Sequence, residues 1–181
     1  MEVLFTISEK GVLENAEFDD MAGLEFDDDF QDYADYLHKT GVIIPRNVKH
    51  IGDKAFYDKR WLTEVTILCS VVSIGNDAFT DCNYLQSVIM ADGINTIGTR
   101  AFAWCESLTS IVIPDKVTHL EDMTFYACSS LESVVISNNI SAIGNDVFAY
   151  CNEALTIHAK KGSYAEKYAI ENSIKLERIE V

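Results

Sequence analysis

Basic residues are scarce in this sequence: 14 Lys and Arg face 29 Asp and Glu, a formal net charge of −15. A surface of that sign repels phosphate backbones, which argues against nucleic acid as the main ligand. Long apolar runs are lacking too. Nothing approaches the roughly 18 apolar residues that a membrane-spanning helix needs, so membrane insertion is not expected. The opening residues, MEVLFTISEKGVLENAEFDD, have no basic start and only a brief apolar stretch, unlike a secretory signal. The expected location is the cytoplasm if the protein begins here, and the cell surface or medium if a leader precedes it. Cysteine comes in an odd number, five, a poor fit to a fully paired disulfide framework. Zinc ligands usually occur as close C-x2–4-C pairs, and the sequence has none, so neither a metal nor another cofactor is expected.

What the chain does have is 48% hydrophobic and 24% charged residues, the balance of one packed domain. The charge is uneven: residues 1–40 hold twelve acidic residues against Lys10 and Lys39, a net of −10. Above all there is a repeat. IGNDAFTDCNYL at residues 74–85 returns as IGTRAFAWCESL at 97–108, 23 residues later. The opening column reads Ile51, Ile74, Ile97, Leu120 and Ile143. Four residues on stand Ala55, Ala78, Ala101, Thr124 and Val147, followed by an unbroken column of Phe56, Phe79, Phe102, Phe125 and Phe148. Next come Lys59, Cys82, Cys105, Cys128 and Cys151, then Leu62, Leu85, Leu108, Leu131 and Ala154. Each unit ends in a pair such as Val65/Ile67 or Ile111/Ile113, with Val71, Ile94, Val117 and Ile140 leading into the following unit. Val42, Ile44 and Val48 make a half unit at the start.

A unit of this size cannot bury its own apolar columns, so the units must stack and share one core. LTSIVIP and LESVVIS alternate in period two and are rich in β-branched residues, which predicts a short strand. Equivalent strands in successive coils run the same way, giving a parallel sheet with strands about 4.8 Å apart. IGxxAFxxC lacks that alternation and predicts a turn followed by a short helical or 3₁₀ stretch. Gly52, Gly75, Gly98 and Gly144 suit a corner that needs positive φ or close backbone approach. Glu121 stands there in the fourth unit, so that corner should differ. The expected fold is an α/β repeat solenoid of about five 23-residue coils.

The phrase IGxxAFxxCxxLxxVxIP at this period resembles the BspA-type, or Treponema-type, leucine-rich repeat. The resemblance covers about residues 41–159, and the tail KKGSYAEKYAIENSIKLERIEV resembles the closing segment that often follows such arrays. It implies a leucine-rich-repeat array in a bacterial protein. Members of that family are mostly bacterial and protist surface proteins, some adhering to host proteins.

A stack of coils needs closed ends. Residues 1–40 are read as an acidic N-terminal cap, with two strands around Glu9-Lys10-Gly11 and a helix starting near Asp28 that carries Phe30, Tyr33, Ala34 and Leu37 on one face. Residues 41–159 are the repeats, and 160–181 a C-terminal cap. There Ser163 with Glu166 three residues later forms a capping box, opening a helix that presses Tyr164, Ala165, Tyr168 and Ala169 onto the last coil. SIKLERIEV is expected as a closing strand.

The four in-register cysteines share their spacing with core columns and read as small buried side chains rather than ligands; Cys69 lies outside the ladder. His50 and His119 share a column about 14 Å apart along the stack, too far for one metal. They read as ordinary surface residues. FDDDFQD lacks the glycine and terminal glutamate of a calcium loop and reads as charge at a helix start, with weak calcium binding a secondary reading. The repeat supplies no nucleophile, base and orienting group together, so no enzymatic activity is expected.

Two outward columns remain. One reads Glu64, Ser87, Ser110, Ser133, Thr156; the other reads Ile43, Thr66, Ile89, Val112, Val135, His158. Small hydroxyls beside an apolar ridge are an unusual surface to leave in water. They predict a partner-binding face for a protein or peptide on a monomeric, non-enzymatic module. The alternatives are a surface adhesin fragment recognising host proteins, and an inert spacer whose face follows from strand propensity or lies under the N-terminal segment.

Overall fold

Every unit carries the chain once around three sides of a coil, and the same three sides recur up the array. The computed structural model describes residues 3–18 and 40–180. A hairpin of β1 (Val3–Ile7) and β2 (Val12–Phe18) leads in, its strands antiparallel. One side of the solenoid then holds the longer strands β3 (Thr40–Ile43), β5 (Leu62–Ile67), β7 (Ser87–Met90), β9 (Ser110–Val112), β11 (Ser133–Val135) and β13 (Thr156–Ala159). A second side holds two-residue strands, β4 (His50–Ile51), β6 (Ser73–Ile74), β8 (Thr96–Ile97), β10 (His119–Leu120) and β12 (Ala142–Ile143). After β13 come the helix α1 (Tyr164–Glu171) and β14 (Lys175–Arg178), which pairs parallel to β13. The parallel pairings keep the 23-residue register expected from the repeat, for example Ser110↔Ser133↔Thr156.

The third side is where expectation and structure part. The AFxxC stretch is a run of turns, not a helical segment. Each coil places two residues at positive φ between 53° and 61°: Lys54 and Asp58, Asp77 and Asp81, Arg100 and Trp104, Met123 and Ala127, Asp146 and Tyr150. A left-handed residue every fourth position prevents helical continuation. The freed amides bond to the neighbouring coil instead, Phe56 N–H to the Ala78 carbonyl at 2.7 Å, Phe79 to Ala101 at 2.8 Å and Phe102 to Thr124 at 2.9 Å. Backbone donors that a helix would satisfy internally are satisfied between coils.

The corner glycines serve close approach rather than positive φ. A Cβ on Gly75 would fall 2.6 Å from the Asp53 amide nitrogen. At three such corners the glycine amide donates to the coil before, Gly75 to Ile51 at 2.8 Å, Gly98 to Ile74 at 3.0 Å and Gly144 to Leu120 at 2.8 Å. With Glu121 the short-strand ladder stops: β1-β2-β4-β6-β8 form one sheet and β10-β12 another. The longer strands divide at the same coil boundary, into β3-β5-β7 and β9-β11-β13-β14. The single sheet expected from the sequence is thus two. The turn side continues across that boundary, with Trp104 N–H on the Tyr126 carbonyl at 2.8 Å.

Inside, the phenylalanine column is a stack of near-parallel rings, with centroids 4.8, 5.1, 5.6 and 5.7 Å apart from Phe56 to Phe148. Tyr168 of α1 closes it edge-on, 6.1 Å from Phe148. Beside the rings each ladder thiol donates to a phenylalanine carbonyl 26 residues back, Cys82 to Phe56 at 3.0 Å and Cys105 to Phe79 at 3.2 Å. Ala154 does not fill the leucine column. It is exposed, and Leu155 is buried in its stead, the chain having slipped one residue before β13 restores the register.

Both ends are closed by apolar burial. Leu13 and Ala16 of β2 are fully buried, and β2 runs parallel to β4 with Leu13 opposite Ile51, so the hairpin extends the short-strand side. The expected helix near Asp28, the FDDDFQD run and His38 lie outside the described residues. At the other end Ser163 caps α1 through the Glu166 amide at 3.1 Å. Glu166 returns to the Gly162 amide, one residue before the cap, and takes Arg178 at 2.6 Å. Those two donors hold its carboxyl below the ordinary value. Ala165 and Ala169 are buried as expected, but Tyr164 points outward.

Candidate interaction face

Alternation along a strand sends every second side chain away from the core, so the outward columns follow from the same period that buries Val65 or Ile111. Pairing sets them in line: Glu64↔Ser87 and Thr66↔Ile89 across β5 and β7, then Ser110↔Ser133↔Thr156 and Val112↔Val135↔His158 across β9, β11 and β13. Ile43 stands opposite Thr66. Ile43, Ile89 and Val112 are 66%, 60% and 61% exposed. Glu64 and Ser110 are exposed as well, while Thr66, Ser87, Ser133, Val135 and His158 are half-buried. Thr156 is buried, its hydroxyl on the Ala154 carbonyl at 3.3 Å, so it contributes nothing to an accessible surface.

The two columns end in charge. Lys175 and Glu177 of β14 continue them, and His158 Nδ1 lies 3.4 Å from a Glu177 carboxylate oxygen. Near this end the face deepens into a cavity of about 300 Å³, where Val112 and Val135 meet Ile179 and the loop of Ser137, Asn138 and Asn139. The sequence reading missed that hollow because Ile179, following β14, reaches it only through the closing of the C-terminal end.

The remaining candidate residues stay apart. His50 pairs with Ser73 at 2.7 Å, and His119 with Thr118 at 2.9 Å. Among the described residues no group of His, Cys, Asp or Glu is arranged to hold a metal ion. Cys82, Cys105 and Cys128 are buried, which pushes their thiols up from the usual range. Cys69 is exposed. No described helix is long and apolar enough to cross a membrane.

Comparison with known proteins agrees with the repeat. Residues 49–177 match, in 6 copies, the model of a family described as the BspA type leucine rich repeat region. Among solved structures, the leucine-rich repeat protein of T. pallidum is 31% identical with a TM-score of 0.63, over 67% of this chain and 59% of that one. A leucine rich cell surface protein from Faecalibacterium prausnitzii is 34% identical with a TM-score of 0.65, over 73% of this chain and 35% of that one. The pneumococcal vaccine antigen PcpA shares the fold at 19% identity and a TM-score of 0.63, over 79% of this chain and 42% of that one. This chain therefore spans less than two thirds of each of these proteins. No curated protein sequence matches it.

Proposed function

The chain belongs to the BspA-type leucine-rich repeat family, and on that premise we propose that it is a non-enzymatic module binding a protein or peptide on its long-strand face. The observation that carries this is the exposure of Ile43, Ile89 and Val112, each at least 60% exposed on the long-strand side. Ile43 and Ile89 flank Thr66 on one sheet and Val112 pairs with Val135 on the next, and a partner laid along this side would desolvate them together, which is how an interface core gains its energy. The described hairpin packs on the short-strand side, so residues 3–18 leave this face open. Residues 41–159 act as the binding array, with 1–40 and 160–181 as its caps. A place on the cell surface fits the likeness to the leucine rich cell surface protein of Faecalibacterium prausnitzii.

The test installs a photo-crosslinking residue at Ile89 or Val112, with Ile170, equally exposed on α1, as the control. Adducts with one partner should form from the face positions and not from Ile170. Replacing Ile89, Val112 and Val135 together with serine should keep the fold and remove the adduct from a crosslinker at Ile43. Unfolding of the triple variant, or undiminished capture of the same partner, would overturn the proposal.

A further inference from the structure

The turn side carries two features that packing leaves unexplained. The first is backbone. Every coil places a left-handed residue at the position of Asp58, Asp81, Trp104, Ala127 and Tyr150. Asp tolerates that conformation, whereas a bulky side chain there crowds its own Cβ against the backbone. Trp104 and Tyr150 nevertheless occupy it at φ 56° and 59°. Neither ring is core: Tyr150 is 75% exposed and Trp104 half-buried. With Tyr126 between them they form a ridge of edge-on pairs, the centroids 5.1 Å apart in both. Strain held for a surface feature points to use rather than stability.

The second feature is a polar cleft of about 360 Å³ at the foot of Trp104, lined by Lys54, Tyr57, Asp77, Asp81 and Arg100. Asp77 is nearly buried and accepts from Arg100 through Nε at 2.7 Å and Nη2 at 3.0 Å. That fork pins the guanidinium while leaving it partly open to solvent. Tyr57 has the Lys54 ammonium 5.7 Å from its ring centre, and the nearby Asp81 carboxylate pushes its phenol up from the ordinary value. Two cations and two carboxylates line the cleft, so it is locally neutral in a chain of net charge −15.

We propose that ridge and cleft together bind a neutral oligosaccharide. A sugar ring offers an apolar C–H face, which an exposed aromatic ring covers, and hydroxyls that both donate and accept. Fixed carboxylates beside a pinned guanidinium and an ammonium supply both kinds of partner, as in small-molecule sites that combine an apolar wall with a few placed polar groups. Phosphate or an acidic sugar would face Asp77 and Asp81, and a cation would face Arg100 and Lys54. Aromatic rings on successive coils let successive sugar units engage the same ridge. The turn-side ladder is unbroken across the boundary where both other ladders stop, so the platform is held rigid there. This site is separate from the long-strand face.

The experiment screens the whole chain on a printed panel of neutral and acidic oligosaccharides and takes the strongest neutral hexasaccharide into calorimetry. Saturable one-site binding is expected. Trp104→Asn and Tyr150→Asn should each weaken it at least tenfold with Tm unchanged or raised, because asparagine accepts the left-handed conformation. Ile89→Ser, on the other face, should leave it unchanged. Should Trp104→Asn fail to fold, the highly exposed Tyr150→Asn decides alone. No saturable neutral ligand, binding confined to acidic sugars, preference for a proline-rich peptide titrated alongside, or affinity that survives both substitutions would each overturn the proposal.

Discussion

Truncating one ring in the middle of the phenylalanine stack tests the core directly. Phe102 is fully buried, with Phe79 5.1 Å away at 2° and Phe125 5.6 Å away at 8°. Burying a phenylalanine contributes about 1.5–3 kcal/mol. Each stacked neighbour adds roughly 0.5–1.5 kcal/mol. The flanking coils are tied together by backbone bonds on the turn side, Phe102 N–H to Thr124 among them, so the void cannot close by collapse. Phe102→Ala should therefore cost about 3–5 kcal/mol, the range of other buried phenylalanines. Against the 5–15 kcal/mol typical of whole domains, that is a large fraction. Phe148→Ala should cost less than Phe102→Ala, because α1 covers that end and can settle inward. Urea denaturation followed by far-ultraviolet circular dichroism measures both. A fall in slope for Phe102→Ala would report the two halves of the array unfolding separately. A loss below about 1 kcal/mol with unchanged slope would refute the stacked core.

Three other outcomes are expected. In the native protein a thiol reagent should modify Cys69 rapidly and leave Cys82, Cys105 and Cys128 silent until denaturant is added; stoichiometric zinc or a disulfide among them would contradict their placement. Hydrogen exchange should be at least tenfold faster at the Thr118 and Glu121 amides than at Ser141 and Gly144, which donate to Thr118 and Leu120 across the coil boundary; equal protection would mean that the ladder is not interrupted at Glu121. Because the Gly162 amide and Arg178 hold the Glu166 carboxyl below its ordinary value of 4.5, its contribution to stability is present at neutral pH and lost as pH falls through the lower folded value. Glu166→Gln should accordingly lower Tm at pH 7 and converge with the wild type in acid, and a constant difference across pH would refute that role.

Much of this architecture is written in one dimension. A strict 23-residue period with seven apolar columns admits only stacking, since one unit cannot bury its own share, and so the parallel register, the inward Phe and Cys columns and the outward Ile89 and Val112 were all legible. The capping box at Ser163 was legible for the same reason: its signal is local. What escaped depends on the neighbouring coil. The turns of the third side read as helix because the donors of Phe56 and Phe102 find acceptors 22 residues ahead, at Ala78 and Thr124, which local spacing does not reveal. Leu155 displaced Ala154 because packing depth, not column arithmetic, chooses the buried side chain. The break at Glu121 was foreseeable as an altered corner, yet its extent through both sheets was not, since strands share a ladder only when two coils lie at the right separation. The cleft beside Trp104 is assembled from three successive coils, residues 54–57, 77–81 and 100–104. Sequence set the period that brings such residues to one side; only the stacked backbone, with its left-handed turns, decided that an aspartate from one coil would grip an arginine from the next.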